Sequence, residues 1–181
     1  MTDQTVSESG LIVPVPASSA LIHRHRLRFD PSALAGAPEH ITLLYPFLAP
    51  AGLDRGVSVR LEALFGEIRP FPFALSATAW FGQDVLYLAP HPSAAFTRLT
   101  KLLSDEFGVL PYGGRFDDAT PHLTIGATNG QGGDPLALLQ HVATDIAGHL
   151  PIEAIAREAY LMVGSNEAGW SVRDQFPFAP G

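Results

Sequence analysis

Two short segments of the chain resemble each other and decide how the rest of it is interpreted. The first is Pro38–Phe47, PEHITLLYPF, and the second is Thr120–Gly126, TPHLTIG. Each contains His-x-Thr followed by an apolar residue, and each has a proline shortly before its histidine. β-Branched and apolar runs of this kind predict strands, here over His40–Phe47 and His122–Gly126. The same motif is therefore expected on two strands, one in each half of the chain.

Strand geometry gives the spacing within each motif a meaning. Successive side chains of a strand point to opposite faces of the sheet. We therefore expect His40 and Thr42 to share one face, and His122 and Thr124 to share the corresponding face of the second strand. The intervening apolar side chains would then face the core. If the two halves pack about a pseudo-twofold axis, two imidazoles and two hydroxyls converge on one cleft.

That set of side chains suits the cleavage of a phosphodiester. The attacking oxygen must lose a proton and the leaving oxygen must gain one, and histidine can do either near neutral pH. The threonine hydroxyls can donate hydrogen bonds to the phosphoryl oxygens. Neither motif has a carboxylate at the neighbouring position on the same face, so we expect no metal site.

Composition excludes several functional classes. Cysteine is absent, which rules out disulfide scaffolds, thiolate nucleophiles and cysteine-held metals. The net charge of −7, from 11 basic and 18 acidic residues, argues against a broad grip on duplex DNA. A small cyclic nucleotide or a short RNA end remains as the expected partner.

The chain also shows no sign of membrane association. No apolar run approaches the ~18 residues that a transmembrane helix needs, and the polar, acidic N-terminus does not look like a secretory signal. We therefore expect a cytoplasmic protein without a membrane partner, and a monomer.

The 181 residues are enough for one domain with a core of its own. We expect residues 1–10 to form a flexible N-terminal tail and residues 11–181 to form a single bilobal domain. The elements are predicted in the order β-α-β-α-β-β-α-β-α-β-β, ending in a hairpin between Ile152–Val163 and Trp170–Phe176. This order hints at an internal duplication of an α+β unit.

The two motifs and the element order resemble the 2H phosphoesterases, the superfamily of 2′-5′ RNA ligases and cyclic phosphodiesterases. The resemblance covers nearly the whole chain after residue 10. It implies a bilobal, pseudo-symmetric α+β fold of the LigT-like kind, with two antiparallel sheets lining a central cleft and helices outside. It also implies a metal-independent hydrolase without cofactors, which opens nucleoside or RNA-end 2′,3′-cyclic phosphates in RNA processing.

Carried over residue by residue, the resemblance makes His40, Thr42, His122 and Thr124 the catalytic positions. We favour His122 as the base for the incoming water and His40 as the acid for the leaving oxygen, although the reverse assignment stays open. The acidic chain departs from the basic clefts of many RNA-handling members, which favours a small substrate. There is no GxxxxGK[ST] loop for ATP, so ligation would have to be the reverse of cleavage.

Three further residues are candidates for substrate binding. Phe81, in a predicted hairpin, could stack on a base. Tyr112 and Arg115 lie in a Gly-rich loop before the second motif, where the arginine could hold a phosphate. Tyr45 is expected to pack in the core, on the strand face opposite His40. The basic stretch His23–Arg28 is expected to be a solvated helix face.

Two other functions are compatible with the same residues. The chain could be a non-catalytic module that binds a nucleotide or an RNA end. It could also be a metal-dependent phosphoesterase that uses its histidines together with Asp117 or Asp118.

Overall fold

The computed structural model describes residues 7–115, 119–129 and 134–180. They form two four-stranded antiparallel sheets, with the helices packed around them. The strands are β1 (Glu8–Pro14), β2 (His40–Leu44), β3 (Phe71–Phe81), β4 (Val85–His91), β5 (Leu123–Ala127), β6 (Ile152–Ala156), β7 (Glu158–Ser165) and β8 (Gly169–Pro177). The helices are α1 (Ser19–Phe29), α2 (Pro31–Leu34), α3 (Arg55–Gly66), α4 (Ala94–Phe107) and α5 (Pro135–Ala147). The expected α+β class with two antiparallel sheets is confirmed.

The order of the strands shows the pseudo-symmetry directly. The first sheet runs β2-β1-β7-β8 and the second runs β5-β4-β3-β6. In each sheet a His-x-Thr motif lies at an edge: β2 carries the first motif, and β5 begins within the second. The strand paired with each of these edge strands, β1 for β2 and β4 for β5, is the one that precedes it along the chain. The units β1-α1-β2 and β4-α4-β5 therefore correspond to each other.

The two motif strands show the predicted alternation of buried and accessible residues. On β2, Ile41 and Leu43 are fully buried, while His40 and Thr42 are partly exposed. The second motif repeats this pattern at positions 122 to 125. The edges β2 and β5 also lie in contact with each other. The polar faces of both motifs therefore border the junction between the two sheets.

The helices exchange places between the sheets. α1 follows β1 of the first sheet but packs on β5 of the second, whereas α4 follows β4 of the second sheet and packs on β2 of the first. Each motif strand is thus covered by a helix that originates in the other unit. This exchange joins the two sheets through one shared hydrophobic core, which fixes their relative positions.

The final hairpin is confirmed between β7 and β8, but its first strand was predicted too long. The apolar stretch expected as one strand, Ile152–Val163, divides at Arg157 into β6 and β7, which belong to different sheets. β6 pairs with β3, whereas β7 pairs with β1 and β8. Hydrophobic patterning cannot show this change of partner, because both strands bury apolar residues. The first sheet is consequently built from both ends of the chain.

The boundary of the N-terminal tail also needs correction. The expected tail covered residues 1–10, but β1 begins at Glu8. Ser9 is buried and its hydroxyl donates a hydrogen bond of 2.5 Å to the carbonyl of Leu48. A polar side chain with such a partner is stable in the interior, although the polar sequence around Ser9 suggests a loop. In the described part of the chain, every helix is too short or too polar to cross a membrane.

The packing of α1 on β5 depends on Gly126. A Cβ at this position would overlap the Cβ of Phe29 on α1 and approach the Leu139 side chain to 3.1 Å. We expect Gly126→Ala to lower the free energy of unfolding by about 1–3 kcal/mol through overpacking, measured by urea denaturation. The matched control is Gly148→Ala, where nothing lies within 4 Å of the added Cβ. Equal stabilities for the two variants would contradict this account of the interface.

Candidate functional site

The imidazoles of His40 and His122 are held in the same way. The Nδ1 of His40 lies 2.7 Å from the carbonyl oxygen of Pro38, and the Nδ1 of His122 lies 2.7 Å from that of Thr120. A carbonyl oxygen only accepts hydrogen bonds, so Nδ1 is the protonated nitrogen in both rings. The neutral forms therefore leave Nε2 with a free lone pair. Each ring is oriented by the carbonyl two residues before it.

The structure places the two motifs at sheet edges, on β2 and at the start of β5, and these two strands contact each other. Thr42 follows His40 on the same face of β2, and Thr124 follows His122 on the same face of the second motif. A positive charge on His122 would lower the pKa of His40. The first motif lines one pocket and the second motif lines another.

A pocket beside His40 contains residues that the sequence analysis missed. Its walls include Thr42, Met162 and the aromatic rings of Tyr45 and Trp170. The Trp170 indole N–H donates a 2.9 Å hydrogen bond to the side-chain oxygen of Asn166, which also lines the pocket. Met162, Asn166 and Trp170 come from the β7–β8 turn and the strands beside it, more than 100 residues after the first motif in the chain. Only the sheet order indicates that they are neighbours of His40.

A second pocket lies on the His122 side. It contains Thr124 and two of the predicted binding residues, Phe81 and Tyr112. The Phe81 ring stacks on Tyr87 at 4.3 Å and meets the His122 ring edge-on at 4.8 Å. Phe81 remains 36% exposed, so part of its surface is available to a ligand.

Tyr45 does not pack in the core as predicted. β2 ends at Leu44, so the strand alternation does not continue to Tyr45, whose ring lines the pocket beside His40. Its hydroxyl donates a hydrogen bond to Glu8. Burial raises the pKa of this hydroxyl to about 12, and the bond to Glu8 adds to the rise. Tyr45 is therefore a neutral aromatic wall of the pocket.

The loop before the second motif is tied to the first motif. The Tyr112 N–H donates a 2.6 Å hydrogen bond to the carbonyl of Tyr45. Tyr112 itself has φ 53°, a left-handed conformation that is uncommon for a residue other than glycine. Arg115 is exposed, and its Nε donates to the Tyr112 carbonyl at 3.1 Å. This geometry does not test whether Arg115 binds a phosphate, so the phosphate-binding role of Arg115 stays a prediction.

Burial lowers the pKa of both imidazoles. For His40 the pKa falls to about 4, because desolvation outweighs the stabilising hydrogen bond to the Pro38 carbonyl. Burial also lowers the pKa of His122, against the opposing effect of the Thr120 carbonyl. Both rings are therefore biased towards the neutral form in the free protein.

The basic stretch on α1 is not a uniformly solvated face. Arg26 is 1% exposed and pairs with Asp30 at 2.7 Å. His23 is exposed, but its Nδ1 lies 2.7 Å from the buried carboxylate of Glu39, the residue before His40. Helical spacing places residues 22, 26 and 29 on one face of α1. Because Ile22 and Phe29 are apolar, this face is expected to be buried, and it could have predicted the burial of Arg26.

Within the described residues, no group of three or more His, Cys, Asp or Glu side chains is arranged to hold a metal ion. The candidates Asp117 and Asp118 lie outside the described residues.

Comparison with solved structures shows the fold of the chain. E. coli LigT complexed with NADP⁺ matches with a TM-score of 0.57 and 18% identity, covering 98% of this chain and 100% of LigT. LigT complexed with 3′-AMP matches with a TM-score of 0.57 and 15% identity, over 97% and 99% of the two chains. A protein of Thermus thermophilus matches with a TM-score of 0.59 and 18% identity, over 94% and 97%.

The family follows from the sequence. None of the curated proteins matches the chain significantly. The family model of the 2′-5′ RNA ligase superfamily, by contrast, matches residues 13–166, which include both His-x-Thr motifs, all of the second sheet and part of the first. The chain belongs to the 2′-5′ RNA ligase superfamily.

Proposed function

We propose that the protein is a metal-independent phosphodiesterase that opens the cyclic phosphodiester of a nucleoside or RNA-end 2′,3′-cyclic phosphate. The observation that carries this proposal is the matched pair of imidazoles. Both are fixed through Nδ1, both leave Nε2 free, and each has a threonine hydroxyl beside it. General acid and base groups of this kind each contribute about 10²–10⁴-fold to a reaction rate.

The reaction balances with these groups alone. A neutral imidazole accepts a proton through Nε2 from water as the water oxygen bonds to phosphorus. The bond between phosphorus and one ribose oxygen breaks, and a protonated imidazole donates its Nε2 proton to that oxygen. The product is a phosphomonoester with a free hydroxyl. The two histidines finish with exchanged protonation states, and solvent restores them. Thr42 and Thr124 donate hydrogen bonds to the phosphoryl oxygens, where charge increases in the transition state.

The electrostatics favour His40 as the base. The base must be neutral before reaction, and burial lowers the pKa of His40 to about 4. His122 is then the acid, which is the reverse of the assignment favoured from the sequence. A bound anionic phosphate favours the protonated form of a neighbouring imidazole, so substrate binding itself supports the charging of His122.

The pockets support a nucleotide substrate of low charge. The His40 pocket is lined by neutral residues and that histidine, with aromatic rings from Tyr45 and Trp170. Of the described residues, the His122 pocket offers the ring of Phe81 and the carboxylate of Asp84. Aromatic side chains stack on bases of any sequence, whereas Asp84 disfavours additional phosphates. The LigT complexes with NADP⁺ and 3′-AMP support nucleotide binding by this fold.

The first test removes each imidazole in turn. We expect His40→Ala and His122→Ala each to lower turnover of a 2′,3′-cyclic nucleotide by about 10²–10⁴-fold, measured with EDTA present and with circular dichroism to check the fold. The control is His149→Ala, an exposed histidine just after the end of α5, which should retain activity.

A second substrate in the same experiment separates the two roles. A nitrophenyl phosphodiester of a nucleoside has a leaving group that needs no proton, so loss of the acid is tolerated. We expect His122→Ala to keep most of its activity on this ester, and His40→Ala to lose activity on both substrates. The opposite pattern would exchange the roles. Tight nucleotide binding without product in the unaltered protein would identify a binding module, and loss of turnover in EDTA would identify a metal-dependent enzyme.

The pKa shifts predict an acidic pH optimum. The rate constant kcat/KM falls below about pH 4 as the base His40 becomes protonated. It also falls as pH rises through the lowered pKa of the acid His122, because the proton donor is lost. We therefore expect the maximum of kcat/KM on the acid side of pH 6.5, measured between pH 3.5 and 8 with a check on folding. A maximum on the alkaline side would show that burial does not control these groups.

A further inference from the structure

The carbonyl that orients His40 belongs to a segment held from both sides. Pro38 lies between Ala37 and Glu39, and its carbonyl oxygen accepts the hydrogen bond from the His40 Nδ1. The position of that oxygen depends on its two neighbours, because each peptide unit is planar and moves with the residues it joins. Contacts that hold Ala37 and Glu39 therefore also hold the acceptor of His40.

Arg26 contacts both of these neighbours. Its Nη1 donates a hydrogen bond of 3.4 Å to the Ala37 carbonyl and lies 3.7 Å from the carboxylate of Glu39. Its Nε and Nη2 donate to the Asp30 carboxylate at 3.1 and 2.7 Å, and Nη2 lies 3.5 Å from the Ser32 hydroxyl. The guanidinium thus reaches acceptors on several sides through a rigid planar fork of donors, a geometry that a compact ammonium group does not provide.

Glu39 is fixed by further bonds of its own. Its carboxylate accepts hydrogen bonds from the Ser19 hydroxyl at 2.5 Å and from the His23 Nδ1 at 2.7 Å. Its backbone carbonyl accepts from the Val15 N–H at 2.7 Å. The hydrogen bonds from Ser19 and His23 hold the pKa of the Glu39 carboxyl below its usual value despite its burial. Glu39 is therefore an anionic partner for the buried Arg26.

The corresponding segment of the second motif is different. The Thr120 carbonyl that orients His122 belongs to an exposed residue, whereas Glu39 is buried and Pro38 is half-buried. The two imidazoles share the same local hydrogen bond, but the acceptor of His40 is embedded in a buried ionic network.

We propose that Arg26 is a positioning residue for His40, which fixes the Pro38 carbonyl through Ala37 and Glu39 and so keeps the His40 Nε2 directed at the substrate phosphate. The orientation of the ring follows from the network alone, and its catalytic consequence rests on the proposed function. A small displacement of a reacting group lowers the rate by as much as about 10²-fold without loss of substrate affinity.

The test replaces Arg26 by lysine. Arg26→Lys keeps a positive charge for Asp30 but loses the additional donors of the guanidinium. We expect kcat for a 2′,3′-cyclic nucleotide to fall by about 10–100-fold, with little change in KM. Independently of activity, ¹H–¹⁵N correlation spectra of the imidazoles should show His40 changing from one Nδ1-protonated form to a mixture of tautomers. The His122 signals should stay as they are and serve as an internal reference.

The matched control is Arg24→Lys, the same change two residues earlier on α1 at an exposed position. It should leave both kcat and the His40 spectrum unchanged. A folded Arg26→Lys protein with the unaltered His40 spectrum would overturn the proposal. If the spectrum changes while neither protein turns over the nucleotide, the proposed function fails and the positioning role stands.

Two further measurements apply if Arg26→Lys does not fold. Glu39→Gln removes the negative charge beside Arg26 while keeping the shape of the side chain, and the same change in the His40 spectrum is expected. In the unaltered protein, the Nδ1–H signal of His40 should persist to a higher temperature than that of His122. A His122 signal that is equally persistent would show that the buried network does not hold His40.

Discussion

The structure depends on one hydrogen bond that occurs twice, from an imidazole Nδ1 to the carbonyl two residues before it. A histidine that donates through Nδ1 to a carbonyl has its tautomer and its orientation fixed together. The strand that follows then determines the rest of the site, since the threonine two residues later must share the face of the histidine. Backbone conformation before each motif thus defines which nitrogen reaches the substrate.

The exchange of helices explains how two such motifs come to lie on neighbouring sheet edges. Each motif strand is the edge of its sheet, and each is covered by a helix from the other unit. The sheets cannot separate without exposing the core that they share. The symmetry is broken behind the motifs, where the Pro38 carbonyl adjoins a buried arginine network and the Thr120 carbonyl belongs to an exposed residue. In the proposed reaction, one histidine is a base and the other an acid, and this asymmetry gives the two roles different environments.

The sequence predicted the elements that have a strong local signal. Alternation on the two motif strands correctly predicted which of their residues are buried and which are accessible, and the resemblance to the family added the fold. Residues with long-range partners were not predicted. Trp170 and Asn166 reach the His40 pocket only because β7 and β8 return to the first sheet, and Tyr45 lines it because β2 ends one residue earlier. Arg26 was misinterpreted because its charge outweighed the local signal of the apolar face that it shares with Ile22 and Phe29, and its second partner, Glu39, becomes a neighbour only after folding.

The central claim is that both Nε2 atoms are directed at one phosphate position. A crystal structure with a nucleoside and vanadate, which together mimic the five-coordinate phosphorus of the reaction, tests it directly. The account predicts that the Nε2 atoms of His40 and His122 contact vanadate oxygens from opposite sides, with the hydroxyls of Thr42 and Thr124 donating to the others. Vanadate bound through Nδ1, contacted by only one of the imidazoles, or held elsewhere in the molecule would contradict it.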